Sequence, residues 1–172
     1  MLDRVREALF STLSGYFEGA RVLDLFAGSG SLGLESLSRG ALFARMVERD
    51  ASTVRLLRAN VEALGVGERA RVVATDALSP AAWHDPSAER FAVIFFDPPY
   101  PIVRDGLGRR RVLEVAARLA AERLTEDGVI VFHAPRDLML ATQFVGLEAV
   151  ERSYGTSSLW YLTRPQSNLE AK

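Results

Sequence analysis

The residues best suited to chemistry stand together in one tetrapeptide, Asp97-Pro98-Pro99-Tyr100. It follows FAVIFF at 91–96, an almost wholly apolar run that predicts a central strand buried on both faces. The tetrapeptide therefore falls at the carboxyl end of a sheet. Two consecutive prolines stiffen the backbone and remove two N–H donors while keeping their carbonyls. A carboxylate beside such carbonyls suits a ligand that donates, such as an exocyclic amine of a nucleobase. Asp97 and the Pro98 carbonyl can accept the amine hydrogens. Tyr100 can stack on the base, a contact worth roughly 1–3 kcal/mol. Such an amine is a weak nucleophile because its lone pair is delocalised into the ring, so Asp97 is expected to orient it more than to act as a strong base. The competing reading is a strand-ending turn, for which Asp-Pro-Pro is a good sequence.

A second group lies upstream. Gly28-Ser29-Gly30-Ser31-Leu32-Gly33 fits G-x-G-x-x-G between a strand candidate, RVLDLF at 21–26, and a helix over 31–39. Glycines allow close backbone approach to a ligand at the carboxyl ends of parallel strands. Glu48 ends the next strand about 20 residues after Gly28, where a carboxylate can accept from ribose hydroxyls. The pattern points to an adenosine-containing ligand without separating a dinucleotide from S-adenosylmethionine. Asp24, inside the strand ahead of the glycines, favours the latter: a carboxylate suits a cation and sits badly near a pyrophosphate. It could equally be a buried acid bonded to loop amides. Asp76 and Ala77, after the third strand, can read an adenine edge or cap a turn. The candidate cofactor-binding residues are thus Asp24, Phe26, Gly28, Gly30, Glu48, Asp76 and Ala77. The candidate catalytic residues are Asp97, Pro98, Pro99 and Tyr100. A methyl donor beside a held amine implies methyl transfer to nitrogen, with no metal.

The elements that must position these residues alternate between helix and strand patterns, which predicts an α/β fold with helices on both faces of a mostly parallel sheet. Leu2, Val5, Leu9 and Leu13 recur at helical spacing over 2–14. Strands follow at 21–26, 43–48, 71–75, 91–96 and 129–132. Between them lie helices over 31–39, after the Asp50 cap, from Ser79-Pro80, and over 107–124. Two antiparallel strands, around 148–154 and 158–162, close a seven-stranded sheet. Residues 1–164 are expected to form one domain and 165–172 a polar, loose tail.

Composition narrows the partners. The chain has 172 residues, 48% hydrophobic and 25% charged, normal values for one globular domain. With no cysteine there are no disulfides or thiolate metal sites, which suits a cytoplasmic protein. His84 and His133 lack ligand-like spacing, so no metal is expected, and His133 reads as structural. Net charge is -1, so any nucleic acid must be held by a local patch. Arg104, Arg109, Arg110 and Arg111, with Arg4 and Arg6, are candidates for phosphate contacts or a solvated helix start. No apolar run is long enough to span a membrane. Trp83 and Trp160 read as packing residues.

DLFAGSGSLGLESLSRG at 24–40, VERD at 47–50 and DPPY at 97–100 make the chain similar to the bacterial small-subunit ribosomal RNA (guanine-N2)-methyltransferase family. DRVREALFSTL at 3–13 resembles that family's first helix, and RSYGTSSLWYL at 152–162 its closing hairpin. The resemblance implies a Rossmann-like class I methyltransferase fold. It also implies S-adenosylmethionine contacts from Asp24, Gly28, Gly30, Glu48 and Asp76, with amine positioning by residues 97–100. The implied substrate is a flipped guanine in 16S ribosomal RNA, within a 30S assembly particle where such a particle supplies the recognition surface, and the implied state a monomer. Relatives carry a short basic hairpin ahead of the first helix, and an acidic residue where His133 stands. Other readings are an N6-adenine methyltransferase, an NAD-dependent oxidoreductase, and a cofactor-binding module without turnover. The oxidoreductase reading needs a hydride-transfer site, for which no plausible Tyr-Lys or His-Arg arrangement stands out, and the one lysine is Lys172.

Overall fold

A computed structural model describes residues 1, 3–84 and 90–165 of the chain. The expected helix start at Leu2 and all of the polar tail but Pro165 lie outside the described residues. Seven strands form one sheet in the order β3-β2-β1-β4-β5-β7-β6. The strands are β1 (Arg21–Leu25), β2 (Phe43–Glu48), β3 (Ala70–Ala74), β4 (Phe91–Phe96), β5 (Leu124–Pro135), β6 (Glu148–Tyr154) and β7 (Ser157–Thr163). The first five pair in parallel. β7 inserts antiparallel between β5 and β6, the terminal hairpin expected from the sequence.

Among the described residues, six α-helices cover the sheet: α1 (Asp3–Thr12), α2 (Ser31–Ser38), α3 (Ala51–Ala63), α4 (Pro80–Trp83), α5 (Tyr100–Arg104) and α6 (Gly106–Glu122). The period-2 geometry of the strands sorts side chains onto two cores. Ile94 and Phe96 of β4 pack with Trp83 of α4 and Val112, Ala116 and Leu119 of α6. Val93 and Phe95 face the other way, toward Leu9 and Phe10 of α1 and Leu32 of α2. This two-sided burial is what an unbroken apolar strand requires. Trp83 and Trp160 are buried packing residues, as expected.

Three elements differ from expectation. The long helix ends at Glu122, not Leu124, and β5 begins at Leu124 and runs to Pro135, well beyond 129–132 at both ends. Leu124 pairs with Phe91, and a register shift before Val93–Val129 takes up the intervening residues, including Asp127 and Gly128, which the sequence reads as a turn and the structure places within β5. Helix α5, directly after the prolines, was not anticipated. Pro99 is its N-cap and Pro101 lies in its first turn, where a missing N–H costs nothing. Asp105 then starts α6, its Oδ2 accepting from the Gly108 N–H at 2.6 Å.

Candidate active site

The strand ends of β1, β2, β4 and β5 open into a cleft of about 590 Å³, within the usual range for small-molecule sites. Phe26, Glu48, Ala77, Asp97, Pro98, Pro99, Tyr100 and His133 line it. A continuation of the cleft is lined by Asp24, Gly28 and Ser29, with Phe26 and Asp97 shared. Members of both candidate groups therefore meet in one place, while Gly30 and Asp76 are not among the lining residues.

The glycine loop is built as its spacing requires. Phe26 leaves β1 with φ of 64° and Gly28 follows at 56°. A left-handed Phe is uncommon, and its ring is held stacked on Phe96 at 6.0 Å. A side chain at Gly28 would meet nothing within 4 Å, so the loop there is open to the cleft. Gly33 has a different job. A Cβ there would come within 2.6 Å of Met46 and 3.3 Å of Asp24 Oδ2, so this glycine lets α2 lie against β1 and β2.

Glu48 is held in place by its own loop. Its Oε2 accepts from the Gly28 N–H at 3.1 Å, and Oε1 accepts from the N–H groups of Arg49 at 2.7 Å and Asp50 at 2.9 Å. Oε1 is saturated, while Oε2 keeps one acceptor position. Asp24 is buried and accepts from the Gly33 N–H at 2.9 Å through Oδ2, so its loop-bonded reading is realised. Burial pushes its carboxyl up to about 7; the Gly33 N–H opposes this, and the charges of Asp97 and Glu48 add to it.

Asp76 is drawn away from a purely ligand-facing role. Its Oδ1 accepts from the Leu78 N–H at 3.0 Å and its Oδ2 meets Arg111 at 3.3 Å. Its neighbour Ala77, buried, lines the cleft instead. Arg111 is thereby paired with a carboxylate, while Arg104 lies over the Tyr100 ring at 5.8 Å. Arg110 is exposed and Arg109 partly so.

His133 requires a correction. The sequence reads it as structural, and in the fold it faces the cleft from β5. Its Nδ1 stands 2.6 Å from Asp97 Oδ1 and its Nε2 3.4 Å from the Tyr100 hydroxyl. The register explains why. Phe95 pairs with Val131 and Phe96 with Phe132, so one further step sets Asp97 beside His133. The signal was present in the alternation Val129, Val131, His133, had the strand been extended past Phe132.

The sheet order, with a glycine loop after β1, an acid ending β2 and the Asp-Pro-Pro-Tyr turn after β4, defines a Rossmann-like class I methyltransferase domain. The chain belongs to the small-subunit ribosomal RNA methyltransferase D family, and the model of the family described as conserved hypothetical protein 95 matches residues 1–163. Ribosomal RNA small subunit methyltransferase D of Escherichia coli K12 is 43% identical over 130 residues, covering 74% of this chain and 60% of its own length. YlbH of Bacillus subtilis, named as an rRNA methyltransferase, is 37% identical over 143 residues, 80% of this chain and 72% of its own. Among solved structures, the methyltransferase yhhF of Escherichia coli superimposes with a TM-score of 0.76 at 31% identity, covering 95% of this chain and 86% of its own. A hypothetical protein of Thermus thermophilus does so with 0.75 at 36% identity, again covering 95% and 86%.

Proposed function

We propose that the protein transfers a methyl group from S-adenosylmethionine to the exocyclic N2 amine of a guanine in 16S ribosomal RNA, free or within a 30S assembly particle. The observation that carries the reading is the meeting of Asp97–Tyr100 with the Glu48–Gly28 loop in one cleft. The names of its relatives support ribosomal RNA as the substrate class.

The residues fit this cofactor on three counts. Glu48 Oε2 retains an acceptor position for a ribose hydroxyl. Gly28 leaves open space at the loop. Asp24 offers a buried carboxyl to a cationic methionine end. When bound, S-adenosylmethionine supplies a methyl on a sulfonium: the amine lone pair forms the N–C bond, the S–C pair stays on sulfur as a neutral thioether, and the nitrogen loses a proton. The protein's part is placement. Asp97 accepts one amine hydrogen, aims the lone pair and can take the released proton. Buried Pro98 and the short helix α5 keep the turn rigid, so the geometry is fixed before the base arrives. Tyr100 offers its ring to the base, with Arg104 over it.

The test is methyl transfer from labelled S-adenosylmethionine to 16S ribosomal RNA, bare and as 30S particles, followed by nucleoside mass spectrometry. N2-methylguanosine is expected, and its loss in Asp97→Ala with cofactor affinity kept. N6-methyladenosine would move the acceptor to adenine. No transfer to any RNA would retire the reading.

A further inference from the structure

We infer that His133 is a positioning residue for Asp97, engaging Oδ1 and so orienting the other oxygen, Oδ2, for the acceptor amine. The inference rests on the amino-methyltransferase reading above.

Asp97 lies one residue beyond the end of β4, its side chain 22% exposed. A carboxylate at the mouth of a cleft can turn about χ1 and χ2 and present either oxygen. His133 removes that freedom. Its ring sits on β5, the strand next to β4, and is buried. The 2.6 Å bond from Nδ1 engages Oδ1, and Oδ2, 3.8 Å from the amino group of Met1, is the oxygen not bonded to the ring. The tautomer follows from the partners. A carboxylate only accepts, so Nδ1 carries the hydrogen. In the neutral ring Nε2 is then the acceptor, and Tyr100 O–H, 3.4 Å away, is the donor turned toward it. The chain of bonds thus runs one way, from Tyr100 through His133 to Asp97. It ties both polar side chains of the tetrapeptide to one buried ring on a neighbouring strand.

Packing alone does not call for an imidazole here. His133 follows Val129 and Val131 on the same face of β5, where Val129 and Val131 pack in an apolar cluster and Leu159 of β7 stands opposite His133. An aliphatic side chain would suit that surface and would avoid burying two polar nitrogens. Both nitrogens point instead at residues of the reacting turn. His133 acts on the base through Asp97 and Tyr100, so its removal should change how often the amine is correctly aimed, not how tightly cofactor is held.

Two amide substitutions separate positioning from packing. In His133→Asn the amide nitrogen stands where Nδ1 stands and can still donate to Asp97. In His133→Gln the amide reaches toward the Nε2 position, and the bond to Asp97 is lost. His133→Leu removes both. The readouts are kcat, KM for the RNA and cofactor affinity by calorimetry, with thermal melting to establish folding. The expected result is that Leu and Gln lower kcat about 10–100-fold with KM and cofactor affinity near wild type, while Asn stays within about threefold. Equal kcat for Leu and wild type, or equal loss in Asn and Gln, would overturn the inference while leaving the parent reading intact. Absence of transfer by the wild-type protein, or an Asp97→Ala variant as active as wild type, would overturn both.

Discussion

Single residues in the cleft carry opposed demands, and the demands differ in what they cost when removed. Glu48 is the organiser of its loop as well as a candidate ribose acceptor, since three backbone N–H groups already point at it. Glu48→Ala should therefore weaken S-adenosylmethionine binding about 10–100-fold, the loss expected for a hydrogen bond to a charged group. Titration calorimetry reads this directly, and unchanged affinity would remove Glu48 from the site. Phe26 tests the backbone separately. Its φ of 64° is strained for any residue with a Cβ, and its stacking on Phe96 offsets that strain. Phe26→Ala keeps the strain and loses the stack, whereas Phe26→Gly loses both. The glycine variant should be the more stable of the two by about 1 kcal/mol in denaturant melts. Equal stabilities would mean that the loop relaxes when the ring is gone.

At the scale of elements, the two outer glycines of one motif should fail in different ways. Gly33→Ala forces a Cβ against Met46 and toward Asp24, an overpacking that should cost about 1–3 kcal/mol of stability. Gly28→Ala meets no atom and costs only the left-handed backbone, about 1–2 kcal/mol, but it fills the side of the loop that faces the ligand. Melting and calorimetry on the two variants should show the larger affinity loss, relative to lost stability, at Gly28. The sequence carried this much because G-x-G-x-x-G, Glu48 and FAVIFF are each local patterns with one physical reading in context. Where it fell short, two patterns overlapped. Leu124 continues the buried stripe of Leu119 and Ala120, so helical periodicity could not tell it from the first residue of β5. The Pro99-Tyr100-Pro101 run reads as loop, because prolines in a first helical turn look the same as prolines in a turn. His133 was missed for a related reason. Its partnership with Asp97 is a fact of register between two strands 36 residues apart, invisible until β5 is known to run on to Pro135.

For the molecule as a whole, the buried acid beneath the glycine loop links stability, pH and ligand. The carboxyl of Asp24 titrates near 7 when folded, against 3.8 in an unfolded chain. The folded state therefore holds a proton that the unfolded state releases between those values. The stability from this group is full below about pH 3.8, is lost as pH rises through 7, and is level above that. Asp24→Asn keeps an acceptor for the Gly33 N–H and cannot ionise. The variant should melt above the wild type at pH 8, by several degrees if the difference is a few kcal/mol, and the gap should close toward pH 4. That comparison alone would only show that a charge is buried. The ligand gives the charge a purpose. At pH 8 the ionised Asp24 attracts a cationic methionine end, and the neutral amide does not. S-adenosylmethionine should therefore raise the melting temperature of the wild type more than that of Asp24→Asn, reversing or narrowing their order. If the variant is more stable without ligand and gains as much from it, Asp24 is only a support for the loop. If the wild type gains more, part of its stability has been given up to hold a charge ready for a cation.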